Sequence, residues 1–360
     1  MKFEAITIKD IAKALDLSVS TVSKALRGSH EISDETKRLV LAYAREHNYK
    51  PNPIAQSLKR GLSKSIGVIV CNIDNNFFSQ VINGIESIAR QKDYNVIITQ
   101  SQESYEREVA NSEHLSSRSV DGLIISLSAE TKNVDHLIRL HQKGLPIVFF
   151  DRITDEIPTH KVIANNFKGA YEATRHLIEQ GFQHIAHITS SGSLSITLER
   201  LEGYKKALED AGRKPDPRYV KFCQHGGMIP EETHQALTEL LQLTTRPDAI
   251  FTASDRLSTT TLSLLKKMQI PVPEQIGLVG FTNSISADIF HPALTSVVQP
   301  ALEMGKLSTD LLIQLIESKR PVTEFKKTVL ETDLKIRDSS LRNPPSPLIP
   351  PSSPHTLESP

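Results

Sequence analysis

LSVSTVSKAL, Leu17 to Leu26, sets five hydroxyl or basic side chains, Ser18, Ser20, Thr21, Ser23 and Lys24, beside the apolar anchors Val22, Ala25 and Leu26. The apolar spacing is helical, and Ser18 is a natural N-cap. Upstream, Thr7-Ile8-Lys9-Asp10 fits a capping box, followed by Ile8, Ile11, Ala12 and Leu15 at helical spacing, with Asp16-Leu17 as a tight break. Downstream, Ser33 caps a longer third helix, DETKRLVLAYAREHN, whose Leu39, Val40, Tyr43 and Ala44 form an apolar stripe. Three short helices joined by tight turns make a helix-turn-helix unit.

In such a unit the start of the second helix enters the major groove of DNA. Val19 and Ser20 then meet base edges, and Lys24, one turn on, reaches guanine O6 and N7. Ser18, Thr21 and Ser23 suit phosphate oxygens, which set register without reading sequence. Charge agrees: residues 1–65 hold eight Lys and four Arg against seven Asp and Glu, net +5, inside a chain whose 42 basic and 42 acidic residues cancel. The same charge would also suit an ordinary solvated face.

YKPNPIAQSLKRGLSKS, Tyr49 to Ser65, follows. Pro51 and Pro53 end the third helix, and Pro53 can open a short one, IAQSLK, too short to hold alone in water. Leu58, flanked by Lys59, Arg60 and Lys64, can wedge between base steps in the minor groove. An ordinary interdomain linker is the alternative.

These motifs, ITIKDIAKALDLSVSTVSKALRG and EISDETKRLVLAYAREHNYKPNPIAQSLK, resemble the DNA-binding head and hinge helix of the lactose/galactose repressor family, nearly without gaps over residues 6–70 and onward to about residue 338. The resemblance places Val19, Ser20 and Lys24 at base-reading positions. It places Thr7, Ser18, Thr21, Ser23, Ser33 and Thr36 at phosphate-contacting or capping ones. Ala55 and Leu58 match the hinge residues that enter the minor groove.

The rest of the chain alternates strand-length apolar runs (SIGVIV, NVIITQ, DGLIISL, PIVFFD, HIAHITS, VKFCQ, AIFTAS, IGLVGF) with helical stretches of about 12 residues, which argues two doubly wound parallel α/β lobes. Ligand sites in such sheets lie beyond the strand carboxyl ends. The polar residues there are Asn72, Asp74 and Asn75, Asp151 and Arg152, Ser254 and Asp255, and Thr282 and Asn283, with Phe77 or Phe78 as a stacking face. Asp255 and Ser254 could equally be helix caps.

The resemblance implies a periplasmic-binding-protein-like effector domain whose chain crosses three times between lobes. Asp151 and Arg200 fall on its polar anchors, Phe77 and Phe78 on its aromatic wall, and Ser254, Thr282 and Gln299 on further lining positions. Two departures stand out: GFTN replaces the usual GFDD, and HGGMIPEE offers Met228 where an aromatic is usual. A sugar-like effector is implied.

No G-x-S-x-G elbow, G-K-[ST] loop or H-E-x-x-H helix is present, so no catalytic constellation is read. The turn Thr189-Ser190-Ser191-Gly192-Ser193 could seat a phosphate but also reads as a plain turn. Cys71 and Cys223 stand far apart, without metal spacing, and no cofactor or metal is expected. No run is apolar enough for a membrane helix and no secretory leader is read, so the expectation is a cytoplasmic protein. The tail from Ser339 to Pro360, rich in Pro and Ser, should be disordered and lacks the leucine heptads of a tetramerising coil. The expected domains are therefore a head at 1–50, a hinge and linker at 51–65, an effector domain at 66–338 and that tail.

A homodimer on a pseudo-palindromic operator, carrying a carbohydrate effector, is the reading that follows. The alternative is a ligand-independent DNA-bending regulator.

Overall fold

The computed structural model describes residues 6–49, 62–118 and 120–342, and the chain divides into two compact units, residues 1–64 and 65–360. Ala55, Leu58 and Lys59 lie outside the described residues.

In the first unit, α1 (Ile8–Ala14) begins at the capping box read from Thr7 and Asp10. α2 (Val19–Leu26) is capped by Ser18 and α3 (Asp34–Glu46) by Ser33. Asp16 sits at φ 51, a left-handed turn residue that lets α2 follow α1 closely. Ile11, Ala12, Val22, Ala25, Val40 and Ala44 form the core. Leu39 does not join the stripe expected of it: it is 51% exposed. Val40 and Ala44, one turn apart, already fill the space between α1 and α2, and Leu39 projects about 100° away from Val40.

The second unit holds two six-stranded sheets. The first lobe runs β1 (Ser65–Val70), α4 (Asn76–Gln91), β2 (Asn95–Gln100), α5 (Tyr105–Ser117), β3 (Gly122–Ile125), α6 (Asp135–Gln142), β4 (Ile147–Phe150) and β5 (Lys161–Ala164). The second runs α7 (Asn166–Glu179), β6 (Ile185–Thr189), α8 (Ser195–Asp210), β7 (Val220–Phe222), α9 (Pro230–Leu241), β8 (Ala249–Thr252), α10 (Asp255–Lys267), β9 (Gly277–Phe281) and β10 (Thr295–Val298). The chain then returns through α11 (Ala301–Glu317) and β11 (Lys327–Leu330) to the first sheet, and ends its strands with β12 (Asp333–Lys335) in the second. Strand orders are β11-β5-β4-β3-β1-β2 and β12-β10-β9-β8-β6-β7, so the chain crosses between lobes three times. Every pairing is parallel except β10 with β12.

Central strands such as β3, β4 and β8 are buried throughout, which is why they read as unbroken apolar runs. Each lobe also packs a helix pair at a glycine. A Cβ on Gly84 of α4 would lie 2.1 Å from the Leu302 carbonyl of α11, and one on Gly305 of α11 would lie 2.1 Å from that of Val81. In the second lobe, a Cβ on Gly203 of α8 would lie 2.2 Å from the Phe167 carbonyl of α7.

Two expected boundaries move. β1 begins at Ser65, one residue inside the expected linker. Ser339 and Ser340, expected to open a loose tail, are fully buried. The Ser339 hydroxyl donates to the Leu278 carbonyl at 2.6 Å, and the Ser340 hydroxyl lies 2.7 Å from both Thr295 Oγ1 and His176 Nε2. Small hydroxyls that find buried partners behave as core residues, whatever their composition suggests. The expected disorder beyond Arg342 falls outside the described residues.

Candidate functional site

On the first unit, Val19 (42% exposed) and Ser20 stand out to solvent on the first turn of α2. Thr7, Ser18 and Ser33 all act as N-caps. The Ser18 hydroxyl accepts from the Thr21 amide at 3.0 Å and lies 2.8 Å from the Thr21 hydroxyl. Ser33 and Thr36 repeat the arrangement at 3.2 and 2.8 Å. Ser23 accepts from Arg27 Nη2 at 2.9 Å. Lys24 forms an ion pair with Glu31, so its ammonium is held by the turn that follows α2.

In the second unit the strand ends of both lobes converge on one cleft. Its wall includes Asn72, Asn75, Phe77, Phe78, Asp151, Arg152, Arg200, Met228, Ser254, Asp255, Thr282, Asn283 and Gln299, whereas Asp74, also expected there, does not line it and pairs with Arg256. Glu103, Thr197, Arg256 and Phe281 also line it and were not singled out, and Ser190 joins them from the turn read as a possible phosphate seat. The space between these side chains is about 70 Å³, well under the roughly 300 Å³ at which ordinary ligand pockets begin. The lobes are closed on each other.

Local structure fixes the key groups. Asn75 caps α4, accepting from the Phe77 amide at 2.8 Å, and Ser254 caps α10. Asp151 follows β4 at φ 57, a left-handed conformation uncommon outside glycine that turns its carboxylate off the strand end. It is 4% exposed, and its one hydrogen-bond donor among the described residues is Gln299 Nε2 at 3.4 Å. Burial raises its pKa, against the pull of Arg200 and Arg152.

Arg200, in α8 and also 4% exposed, donates to Asn166 Oδ1 at 2.9 Å and to the Ala253 carbonyl at 2.5 Å. Its guanidinium carbon lies 3.7 Å from the Phe281 ring centroid. Among the described residues it has no ion pair, and burial lowers its pKa to about 10. Asp151 and Arg200 are thus a buried acceptor and a buried donor with unspent hydrogen-bonding capacity. Such groups cost free energy until a partner arrives.

Arg152 differs. Its Nη1 donates to Glu103 at 2.5 Å, to the Leu127 carbonyl at 3.4 Å and towards Cys71 Sγ at 3.3 Å. Burial would raise Glu103, but the adjacent Arg152 more than offsets this and holds the carboxyl below its ordinary range. Thr282 donates to Asp255 Oδ1, and Asp255 Oδ2 accepts from Asn76 of the other lobe at 3.3 Å. A carboxylate thus does reach the place where GFTN lacks one, supplied by the neighbouring β8–α10 junction.

A helix-turn-helix unit followed by a two-lobed α/β domain with a polar interlobe cleft defines a ligand-responsive DNA-binding regulator. Residues 7–52 match the model of bacterial regulatory proteins of the lacI family, and residues 63–336 that of periplasmic binding proteins and the sugar binding domain of the LacI family. The chain belongs to the LacI family of transcription regulators. It is 31% identical over 336 residues to the ribose operon repressor of Haemophilus influenzae, covering 92% of this chain and 98% of the relative. It is 30% identical to the transcriptional repressor PurR of Vibrio atlanticus over 334 residues, or 93% and 98% of the two chains.

Among solved structures, a CelR–cellobiose complex aligns with a TM-score of 0.69 at 26% identity, over 93% of this chain and 99% of that one. The Lac repressor bound to ONPG in the repressed state gives 0.77 at 25%, over 93% and 100%. Relatives of this chain are transcription regulators, and no helix among the described residues is long and apolar enough to cross a membrane.

Proposed function

We propose that this protein is a cytoplasmic repressor that binds a pseudo-palindromic operator as a homodimer and is controlled by a small, uncharged polyhydroxylated effector held between its lobes. Val19 and Ser20 read bases, and Lys24 does so once it leaves Glu31. Ser18, Thr21, Ser23, Thr7, Ser33 and Thr36 set register on phosphates, partly by orienting helix N-termini. Asp151 and Arg200 take vicinal hydroxyls, one accepting and one donating.

The observation that carries the effector reading is that these two oppositely charged groups are buried in one cleft and incompletely bonded. The charge balance supports a neutral ligand. Glu103, Asp151 and Asp255 face Arg152, Arg200 and Arg256, and no lysine among the described residues lines the cleft. A phosphorylated sugar would find no surplus cation. Phe77, Phe78 and Phe281 supply apolar ring faces. Ligand entry requires the lobes to part, which gives occupancy a route to the DNA-binding unit through domain movement. One observation favours a ligand-independent regulator instead, namely the 70 Å³ that the closed cleft leaves.

The test is operator binding by fluorescence anisotropy at fixed salt on selected palindromic DNA, with a panel of pentoses, hexoses, disaccharides, sugar phosphates and nucleobases. A neutral sugar should change affinity at least tenfold, about 1.4 kcal/mol of coupling, and Arg200→Gln should abolish that change while keeping operator affinity. Tight DNA binding unmoved by every compound would favour the ligand-independent reading. A response to sugar phosphates alone would overturn the neutral class.

A further inference from the structure

Asn283, at the end of β9, is 5% exposed and spends its whole carboxamide. Its Oδ1 accepts from the Gln299 amide at 2.9 Å, while its Nδ2 donates to the Gln299 carbonyl at 2.8 Å and to Gln80 Oε1, on α4 of the other lobe, at 2.9 Å. Gln80 Nε2 returns the contact, donating to the Asn283 carbonyl at 3.2 Å. The backbone of Gln299 dictates which atom of Asn283 is oxygen and which nitrogen. Gln299 in turn directs its side chain at Asp151. One unbroken set of hydrogen bonds therefore runs from the Asp151 carboxylate through Gln299 and Asn283 to α4.

Two outer contacts span the same seam, Arg256 to Asp74 at 2.6 Å and Asn76 to Asp255 at 3.3 Å. The Asp74 side chain is 69% exposed, so that ion pair is screened by water and holds little. The reciprocal Asn283–Gln80 pair, part-buried and anchored on the buried Asn283, is the stronger clasp, because leaving the Asn283 carboxamide unpaired away from water is costly.

We propose that Asn283 is a positioning residue that holds the lobes closed and fixes Gln299 against Asp151. The role of Asp151 as an effector anchor rests on the function proposed above; the closing role does not. A clasp that bridges the lobes must open before effector enters, so its strength sets how much of the population can accept effector. It also gives GFTN a purpose. An aspartate at this position, as in the usual GFDD, would set an oxygen against the Gln299 carbonyl and could not donate to Gln80.

Interlobe distance tests this without any effector. Spin labels go on Glu106→Cys at the start of α5 in one lobe and Glu231→Cys at the start of α9 in the other, both exposed, with Cys71 and Cys223 buried. Double electron–electron resonance should give one closed separation for the parent. Asn283→Asp should add a longer-distance population, and so should Gln80→Leu, which cuts the clasp from the other lobe and leaves Asn283 with Gln299. Asp74→Asn should widen the distribution less than either. A fault confined to one lobe would lower the melting temperature without moving this distance. If Asn283→Asp fails to fold, Gln80→Leu decides. A folded Gln80→Leu protein with the parent's distribution overturns the proposal, even if a sugar effector is found. A longer population in a protein that answers to no sugar would leave it standing.

Discussion

The two lobes share one plan, yet they treat their cleft arginines in opposite ways. In the first lobe Arg152 is neutralised at home by Glu103, with side-chain exposures of 13% and 15%. In the second, Arg200 rests on a carbonyl, an amide oxygen and the face of Phe281. The buried histidines repeat the contrast. His136 of the first lobe lies 3.2 Å from Glu108. His187 of the second stacks between Tyr204 and Phe251, at 5.1 and 4.7 Å between ring centroids, and offers its Nδ1 to the Phe251 carbonyl at 3.0 Å. The first lobe pairs its cleft arginine from within, and its Asp151 carboxylate accepts from Gln299 of the other lobe. The other leaves positive charge to be completed from across the cleft, which is where recognition can be placed without weakening both halves.

The sharpest break of this comparison lies in what the lobes have in common. If the glycine crossings are the shared device, Gly305→Val and Gly203→Val should each cost more than about 4 kcal/mol, because the added carbons would meet backbone rather than movable side chains. Expression of folded protein checks this, and a tolerated valine at either site would show that its helix pair can slide apart.

Next in size is the ion pair. Glu103→Gln should destabilise by about 3 kcal/mol, the scale of stranding a buried charge. Arg200→Gln should cost less than half of that in urea denaturation, although it removes the response to effector. Equal losses would erase the distinction drawn between the two arginines.

The smallest effect concerns acid. Burial lowers His187 to about 3, below the roughly 6.5 of an unfolded chain. The unfolded state therefore takes up the proton first, so this contribution is complete above about pH 6.5 and is lost as pH falls towards 3. By pH 5 the loss is about 2 kcal/mol. His176, also lowered by burial, acts in the same direction. Melting temperatures between pH 7 and 5 should fall for the parent and fall less for His187→Phe. An unchanged slope would place the acid sensitivity outside the aromatic sandwich.

Much of the fold could be read directly. Strands buried on both faces appear as apolar runs, and caps at Thr7, Ser18 and Ser33 announce themselves by spacing, because both are local properties. The polar strand ends were legible for the same reason. Their partners were not: Arg152 and Glu103 are 49 residues apart, Asp74 and Arg256 182, and Gln80 and Asn283 203. Nothing near Glu103 in sequence marks it as the counter-charge, since that depends on the β2–α5 loop meeting the end of β4. Leu39 misled for the converse reason. Periodicity allows a wide stripe on α3, but only tertiary packing decides how much of it a head of this size can cover.

The Lys24–Glu31 pair has a consequence for discrimination among DNA sequences. On the proposed reading, every site that draws Lys24 away must first outbid a carboxylate the protein carries with it. A base edge with two acceptors, as guanine presents, can do so, and one that offers a donor cannot. Glu31 then acts as a resident competitor: a site that engages Lys24 breaks the pair and binds with its affinity reduced by that cost, whereas a site that cannot engage it leaves the pair intact.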